Sequence, residues 1–217
     1  MEPTDDSRYF TRPASAFVRG RLPELAQEHD DGAVIARGLT AGLRLHKFKR
    51  NTELPRVRRV LGALRGIAPT SLLDIGSGRG TFLWPLLEAF PALPVTAIDK
   101  DPRRAADLDA AARGGIAHLT ARCMNAESLE FGDGAFDAVT LLEVLEHMSN
   151  PDRALASAVR VARRFVVATV PSKEDDNPEH IHLFDAKSLR TLFAGAGAPS
   201  IHFDYVRGHI LAIASLS

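Results

Sequence analysis

The stretch LLDIGSGRGTF, Leu72–Phe82, decides the fold of this chain. A short apolar run ends at Asp74 and Ile75, and three glycines then follow at two-residue spacing (Gly76, Gly78 and Gly80). Glycine lets the backbone turn sharply and approach a ligand closely, and the next helix would place its N-terminal amide groups beside that turn. The stretch therefore predicts a strand, a ligand-binding turn and a helix in succession.

Short apolar runs alternate with helix-forming stretches on the C-terminal side of this motif. The runs, rich in β-branched residues, are PVTAI (94–98), IAHLTA (116–121), FDAVTLL (136–142) and RFVVATV (164–170). Strands that alternate with helices predict βαβ units and a parallel sheet covered on both faces.

The last two apolar runs, SIHFDYV (200–206) and HILAIAS (209–215), are separated by Arg207 and Gly208 alone. A two-residue connection that contains glycine is typical of a β-hairpin. We therefore expect the last strand to run antiparallel to its neighbours.

A second acidic residue marks the end of the next apolar run. Asp99 follows Gly80 by nineteen residues, where a carboxylate at a strand tip can accept both hydroxyls of a ribose. A nicotinamide-binding G-x-G-x-x-G turn would need glycine at Thr81, so the G-x-G-x-G spacing disfavours that class of cofactor.

Residues 1–66 are predicted to form an N-terminal helical segment, a lid or substrate-specificity element, ahead of a domain that spans 67–217. The basic segment, residues 44–66, carries one acid, Glu53, against eight cations. These cations are Arg44, Lys47, Lys49, Arg50, Arg56, Arg58, Arg59 and Arg65. Such a run is usually a solvated helical face, and its functional alternative is a surface that attracts phosphates or other anions.

Composition restricts the remaining classes of protein. The chain has 217 residues, of which 45% are hydrophobic, and its formal net charge is zero. No apolar run reaches the roughly 20 residues of a membrane span, and the N-terminus resembles no secretory signal. The single cysteine, Cys123, excludes an internal disulfide, so we expect a cytoplasmic protein without a membrane partner.

Four stretches of the sequence share one resemblance: DIGSGRG (74–80), AIDKD (97–101), the segment 123–148 and the terminal hairpin. They resemble the class I S-adenosylmethionine-dependent methyltransferases, and the resemblance extends over about 71–214. The resemblance implies a Rossmann-like α/β fold. Its seven-stranded sheet would be mostly parallel with strand 7 antiparallel between strands 5 and 6, with helices on both faces and a helical N-terminal extension.

The same resemblance implies S-adenosylmethionine as the cofactor. Asp74 and the glycine turn would hold its methionine part, Asp99 its ribose, and Asn125 with Ala126 its adenine. The implied cofactor-binding residues are Asp74, Gly76, Gly78, Gly80, Asp99, Lys100, Asn125, Ala126 and Leu142. Many relatives have Asp at the position of Asn125, and an Asn carbonyl can also accept a hydrogen bond from the adenine.

The stretch LLEVLEHMSNP (141–151) holds the candidate catalytic residues. Glu143, Glu146 and His147 follow the predicted fourth strand, at the sheet edge where open α/β folds bind ligands. His147 can act as a general base with Glu143 or Glu146 holding its tautomer. Alternatively, Glu143 orients the cofactor or a backbone amide, and Glu146 and His147 form a polar rim.

A metal centre is the second hypothesis for this stretch. HIHLF (180–184) should place His180 and His182 on one side of an extended loop. We expect Glu143, Glu146, His147 and His182, with His180 as the alternate, to form an O/N ligand set that suits a divalent cation of the Mg, Mn or Fe type. This pattern resembles the metal-dependent 2′-O-methyltransferases of small-RNA 3′ ends, and also the O-methyltransferases of ubiquinone biosynthesis.

Three functions follow from these residues. The favoured one is methylation of an oxygen atom in a small-molecule substrate, and the basic segment would suit an anionic one. The alternatives are a metal-dependent RNA 2′-O-methyltransferase and a non-catalytic protein that binds S-adenosylmethionine.

Overall fold

The computed structural model describes residues 9–50, 54–174 and 176–216, so Glu53 of the basic segment lies outside the described residues. Within them the helices are α1 (Thr11–Arg21), α2 (Asp31–Thr40), α3 (Pro55–Ile67), α4 (Leu83–Ala89), α5 (Pro102–Arg113), α6 (Pro151–Val161) and α7 (Ala186–Gly195). The strands are β1 (Leu72–Ile75), β2 (Val95–Asp99), β3 (Leu119–Cys123), β4 (Phe136–Leu142), β5 (Ala162–Pro171), β6 (Ser200–Val206) and β7 (His209–Ser215).

The strands form a seven-stranded sheet with the order β3-β2-β1-β4-β5-β7-β6. β7 pairs antiparallel with both β5 and β6, and the other pairings are parallel. The predicted hairpin and the position of strand 7 between strands 5 and 6 are therefore confirmed.

Two apolar cores lie on the two faces of the sheet, because successive strand residues point to opposite sides. In β1, Leu72 belongs to the core formed with α1 to α5, while Leu73 belongs to the core formed with α6 and α7. The strands read as nearly continuous apolar runs because both of their faces are covered.

The N-terminal helices are part of the first core. Phe17 and Phe48 are buried there together with Trp84 of α4, and their rings stack in sequence at centroid distances of 5.1 and 5.0 Å. α1 also lies against α5 so closely that a Cβ at Gly20 would fall 1.9 Å from the carbonyl oxygen of Ala110. The predicted segment 1–66 therefore packs, in its described part, as a layer of the same domain.

No helix in the described part of the chain is long and apolar enough to cross a bilayer.

Candidate active site

A cavity of about 650 Å³ opens at the carboxyl ends of β1, β2 and β4. This is the size of a typical small-molecule pocket, and in an open α/β sheet it is the expected place for a ligand. The predicted cofactor residues that line it are Asp74, Gly76, Gly78, Asp99, Lys100, Asn125, Ala126 and Leu142. Fold topology thus brings together residues from four separate parts of the sequence.

The glycine turn divides into a ligand face and a packing face. Gly78 has a φ of +57°, and a Cβ there would meet nothing nearer than a backbone oxygen at 3.7 Å, so a side chain would enter the cavity. Gly80 has a φ of +82°, and a Cβ there would lie 2.1 Å from the indole ring of Trp84. Gly80 does not line the cavity. This position therefore requires glycine because of the packing against Trp84 and the positive φ of the turn, and not because of a ligand contact.

Asp74 is a buried carboxylate, 2% exposed, at the floor of the cavity. Ser77 Oγ donates to Oδ2 at 2.6 Å, and Thr140 Oγ1 of the neighbouring strand donates to Oδ1 at 2.7 Å. Burial raises the pKa of Asp74 to about 6, although these two hydrogen bonds lower it. The nearby charge of Asp99 raises the pKa further. A cationic ligand group beside Asp74 would stabilise its ionised form and so lower its pKa again.

Asp99 ends β2 and holds the glycine turn in place. Its Oδ2 accepts from the backbone N–H of Gly78 at 2.8 Å, and its Oδ1 accepts from the backbone N–H of Asp101 at 2.8 Å. Asp101 in turn caps the N-terminus of α5. Each carboxylate oxygen can still accept another hydrogen bond, so Asp99 remains able to bind ribose hydroxyls.

Glu143 follows β4 and has a left-handed backbone, with a φ of +56°. Such a conformation in a non-glycine residue costs of order 1 kcal/mol or more and is concentrated at functional sites. Thr169 Oγ1 donates to Glu143 Oε1 at 2.8 Å, while His209 Nε2 and Arg56 Nε lie 3.0 and 3.6 Å from Oε2. The carboxylate, 22% exposed, therefore lies in the cavity wall with a donor on each of three sides.

His209, Thr169 and the individual role of Arg56 were missed by the sequence analysis. His209 lies in β7 opposite Pro171 of β5, so it reaches Glu143 only because β7 inserts beside β5. No local pattern in the sequence indicates that contact.

The four predicted metal ligands do not form one group. The ligand atoms of Glu146, His147 and His180 lie within 4.8 Å of one another, so the alternate histidine takes the place expected for His182. Glu143 is outside this group because Thr169 and His209 hold it at the sheet edge.

The segment 177–184, here called the strap, crosses the turn after β4. Its residues alternate as predicted: Ile181 and Leu183 are 55% and 52% exposed, His180 and His182 are half-buried, and Phe184 is buried. His182 instead holds the strap against the turn after β4, because its Nε2 donates to the carbonyl oxygen of Met148 at 2.9 Å. That bond occupies Nε2, and the group of neighbouring ligand atoms found among the described residues includes His180 and not His182.

His147 lines the cavity and contacts the strap. Its Nδ1 lies 2.9 Å from the carbonyl oxygen of Glu179, an acceptor, so Nδ1 carries a proton. The neutral ring then has its lone pair on Nε2, the form that a general base or a metal ligand requires. The ring of His180 is tilted against it at 4.7 Å between centroids.

Part of the basic segment forms ion pairs with neighbouring elements. Lys47 pairs with an acid of α5, Arg50 with one of α4, and Arg59 with one of β6. Compared with these three side chains, Arg56 differs because it lines the cavity. Arg44, Lys49 and Arg65 are exposed, so the described part of the segment combines inter-element contacts with exposed cations.

Comparison with known proteins agrees with this architecture. Residues 73–165 match the family model described as a methyltransferase domain. The magnesium protoporphyrin IX methyltransferase of Synechocystis PCC 6803, solved with bound SAH, superposes with a TM-score of 0.60 at 17% identity, over 75% of this chain and 82% of that chain. At this identity the likeness is one of fold.

Two curated proteins share parts of the sequence. The malonyl-acyl-carrier protein O-methyltransferase of Geobacter sulfurreducens is 30% identical over 110 residues, 48% of this chain and 40% of that protein. The ribosomal RNA small subunit methyltransferase G of Sorangium cellulosum is 45% identical over 76 residues, 34% of this chain and 32% of that protein. The chain thus spans less than half the length of these curated relatives.

Proposed function

The chain belongs to the class I S-adenosylmethionine-dependent methyltransferase superfamily, and from this premise we propose that it transfers a methyl group from S-adenosylmethionine to an oxygen atom of a small-molecule acceptor. The observation that carries the proposal is the single cavity that Asp74, Asp99 and Asn125 share with Glu143 and His147. Cofactor-binding groups and candidate catalytic groups therefore face one space.

The residues of the cavity fit the proposed cofactor. The open space at Gly78 admits a ligand against the backbone, and buried Asp74 suits an ammonium group. Asp99 would bind the ribose, and Asn125 and Ala126 would border the adenine. S-adenosylmethionine supplies an electrophilic methyl group on a sulfonium, so the protein has to align the acceptor and exclude water.

A hydroxyl acceptor also has to lose its proton. His147 is the residue suited to take it, because its Nδ1–H is fixed on the carbonyl of Glu179 and its Nε2 is left basic. Glu143 is less suited, since both of its carboxylate oxygens are already occupied by neighbouring groups, Oε1 by Thr169 and Oε2 by His209 and Arg56. We therefore assign the base to His147 and a positioning role to Glu143.

The experiment is methyl transfer from radiolabelled S-adenosylmethionine, with a fractionated lysate as the source of acceptors. Label in a small-molecule fraction, lost in the Asp99→Ala variant, is the expected result. Label in RNA would replace this proposal with the RNA alternative, and cofactor binding without any transfer would favour a non-catalytic protein. The ion pairs of Lys47, Arg50 and Arg59 reduce the positive charge that the basic segment could offer to RNA phosphates, which supports the small-molecule acceptor.

A metal-assisted reaction is the second candidate, favoured by the group of Glu146, His147 and His180. One carboxylate and two imidazoles form a mixed set that suits Mn or Fe better than Mg. A cation there would bind the acceptor hydroxyl and lower its pKa.

Chelation distinguishes the two routes. If His147 acts as a base, EDTA leaves turnover unchanged and His180→Ala is mild. If a metal acts, EDTA stops turnover, an added cation restores it, and His180→Ala is as damaging as His147→Ala.

A further inference from the structure

The guanidinium of Arg56 lies in the cavity wall, and Glu143 is the acid that it approaches among the described residues. Its side chain is 20% exposed, and its ion pair with Glu143 spans 3.6 Å from Nε, beyond hydrogen-bond distance. It makes no hydrogen bond to any of the described residues. Arginine carries five N–H donors in a planar fork, and polar groups that are largely removed from water normally find acceptors.

Glu143 has polar partners other than Arg56. Thr169 Oγ1 donates to its Oε1 at 2.8 Å, and His209 Nε2 lies 3.0 Å from its Oε2. With His209 and Thr169 in place, Glu143 can release Arg56 to a ligand.

The position of Arg56 in its helix adds to its positive potential. Arg56 and Val57 lie in the first turn of α3, which has no acidic residue and, among the described residues, no capping side chain. The N-terminal end of a helix carries partial positive charge from its unpaired amide groups. An anion at this wall of the cavity would meet both the guanidinium and that field.

We propose that Arg56 is the specificity-determining residue that binds a carboxylate of the methyl acceptor, which makes the acceptor a small organic acid. The inference rests on the proposed function and deepens it. The planar fork of arginine matches a carboxylate with two parallel hydrogen bonds. Glu143 and Glu179 line the same cavity and would repel a phosphate group, which can carry two charges, more strongly than a carboxylate group, which carries one. Val57 and Met148 supply apolar walls for the body of such an acid.

The test is calorimetric titration of sodium malonate into the full chain saturated with S-adenosylhomocysteine. We expect saturable binding by the wild type, and the Arg56→Gln variant should bind malonate about 10- to 100-fold more weakly, since one charge-assisted bidentate contact is lost. Arg59→Gln is the matched control, because Arg59 is on the same helix but pairs with Asp204 outside the cavity. It should bind malonate like the wild type.

The Glu143→Gln variant distinguishes a ligand-binding role of Arg56 from a role in the structure alone. Removing the competing carboxylate should tighten malonate binding, because Arg56 then has no counter-ion to exchange. Equal malonate affinity in wild type and Arg56→Gln would overturn the proposal, as would equal binding of neutral malonamide, or binding of inorganic phosphate without malonate. Loss of S-adenosylhomocysteine binding itself would instead refute the proposed function, so the two failures are distinguishable.

Discussion

Replacing Asp74 with Asn should make the ligand-free protein more stable and the bound state weaker. The folded state raises the pKa of Asp74 from 3.8 to about 6, mainly because the carboxyl is buried. Because a pKa difference of one corresponds to 1.36 kcal/mol, the folded protein favours the neutral form of Asp74 by about 3 kcal/mol more than the unfolded chain does.

The sign of this effect depends on pH. Because the pKa is higher in the folded state, the contribution to stability is fully present below about pH 3.8 and is lost as the pH rises through about 6. Asn stays neutral throughout. We therefore expect Asp74→Asn to increase the free energy of unfolding by up to about 3 kcal/mol at pH 8 and by almost nothing at pH 4.

Urea unfolding at intervals from pH 4 to 8, without cofactor, measures that difference directly. Asp133→Asn is the control, because the side chain of Asp133 is 82% exposed and its substitution should show no such growth with pH. A stability difference that is independent of pH, or an Asp74→Asn variant that is less stable at pH 8, would refute the reasoning. In the same variant, affinity for S-adenosylmethionine should fall about 10- to 100-fold, because a charge-assisted contact to its ammonium group is lost.

Two further pairs of substitutions distinguish roles that the sequence alone does not separate. Gly78→Val should abolish S-adenosylhomocysteine binding in calorimetry, because its side chain enters the cavity. Gly80→Ala should mainly lower the melting temperature, because its Cβ collides with an indole ring. The opposite pattern would refute the assignment of Gly78 to ligand contact and of Gly80 to packing. His147→Ala should reduce the turnover number by about 10²- to 10⁴-fold, as expected for a lost general base, while His182→Ala should change it little because His182 only anchors the strap. Equal losses in both variants would refute this assignment.

Much of the fold could be predicted because its signals are local. The apolar runs, the glycine turn and the Arg207–Gly208 connection each depend on a few neighbouring residues, and with one exception they appear in the structure where the sequence placed them. The third strand was predicted from Ile116 but begins at Leu119. Ile116 is buried in the first core from a turn, so its apolar character reflects packing and not strand formation.

The candidate site was less predictable because it depends on contacts between distant residues. Alternation correctly placed His180 and His182 on one side of the strap, but it could not indicate which of them reaches Glu146. That choice is made by the hydrogen bond of His182 to Met148. The contact of Glu143 with His209 likewise needs β7 to lie beside β5, which no spacing in the sequence specifies.

The most direct test of the account is calorimetric titration of S-adenosylhomocysteine into the wild-type chain and into the Asp99→Ala variant. We predict one binding site per chain in the wild type and an affinity at least about tenfold lower in the variant, because the proposed carboxylate contact to the ribose and the observed contact to the Gly78 N–H are both removed. Melting temperatures measured beforehand establish that both proteins are folded. Unchanged affinity in Asp99→Ala, or no binding by the folded wild type, would contradict the assignment of this cavity to the cofactor.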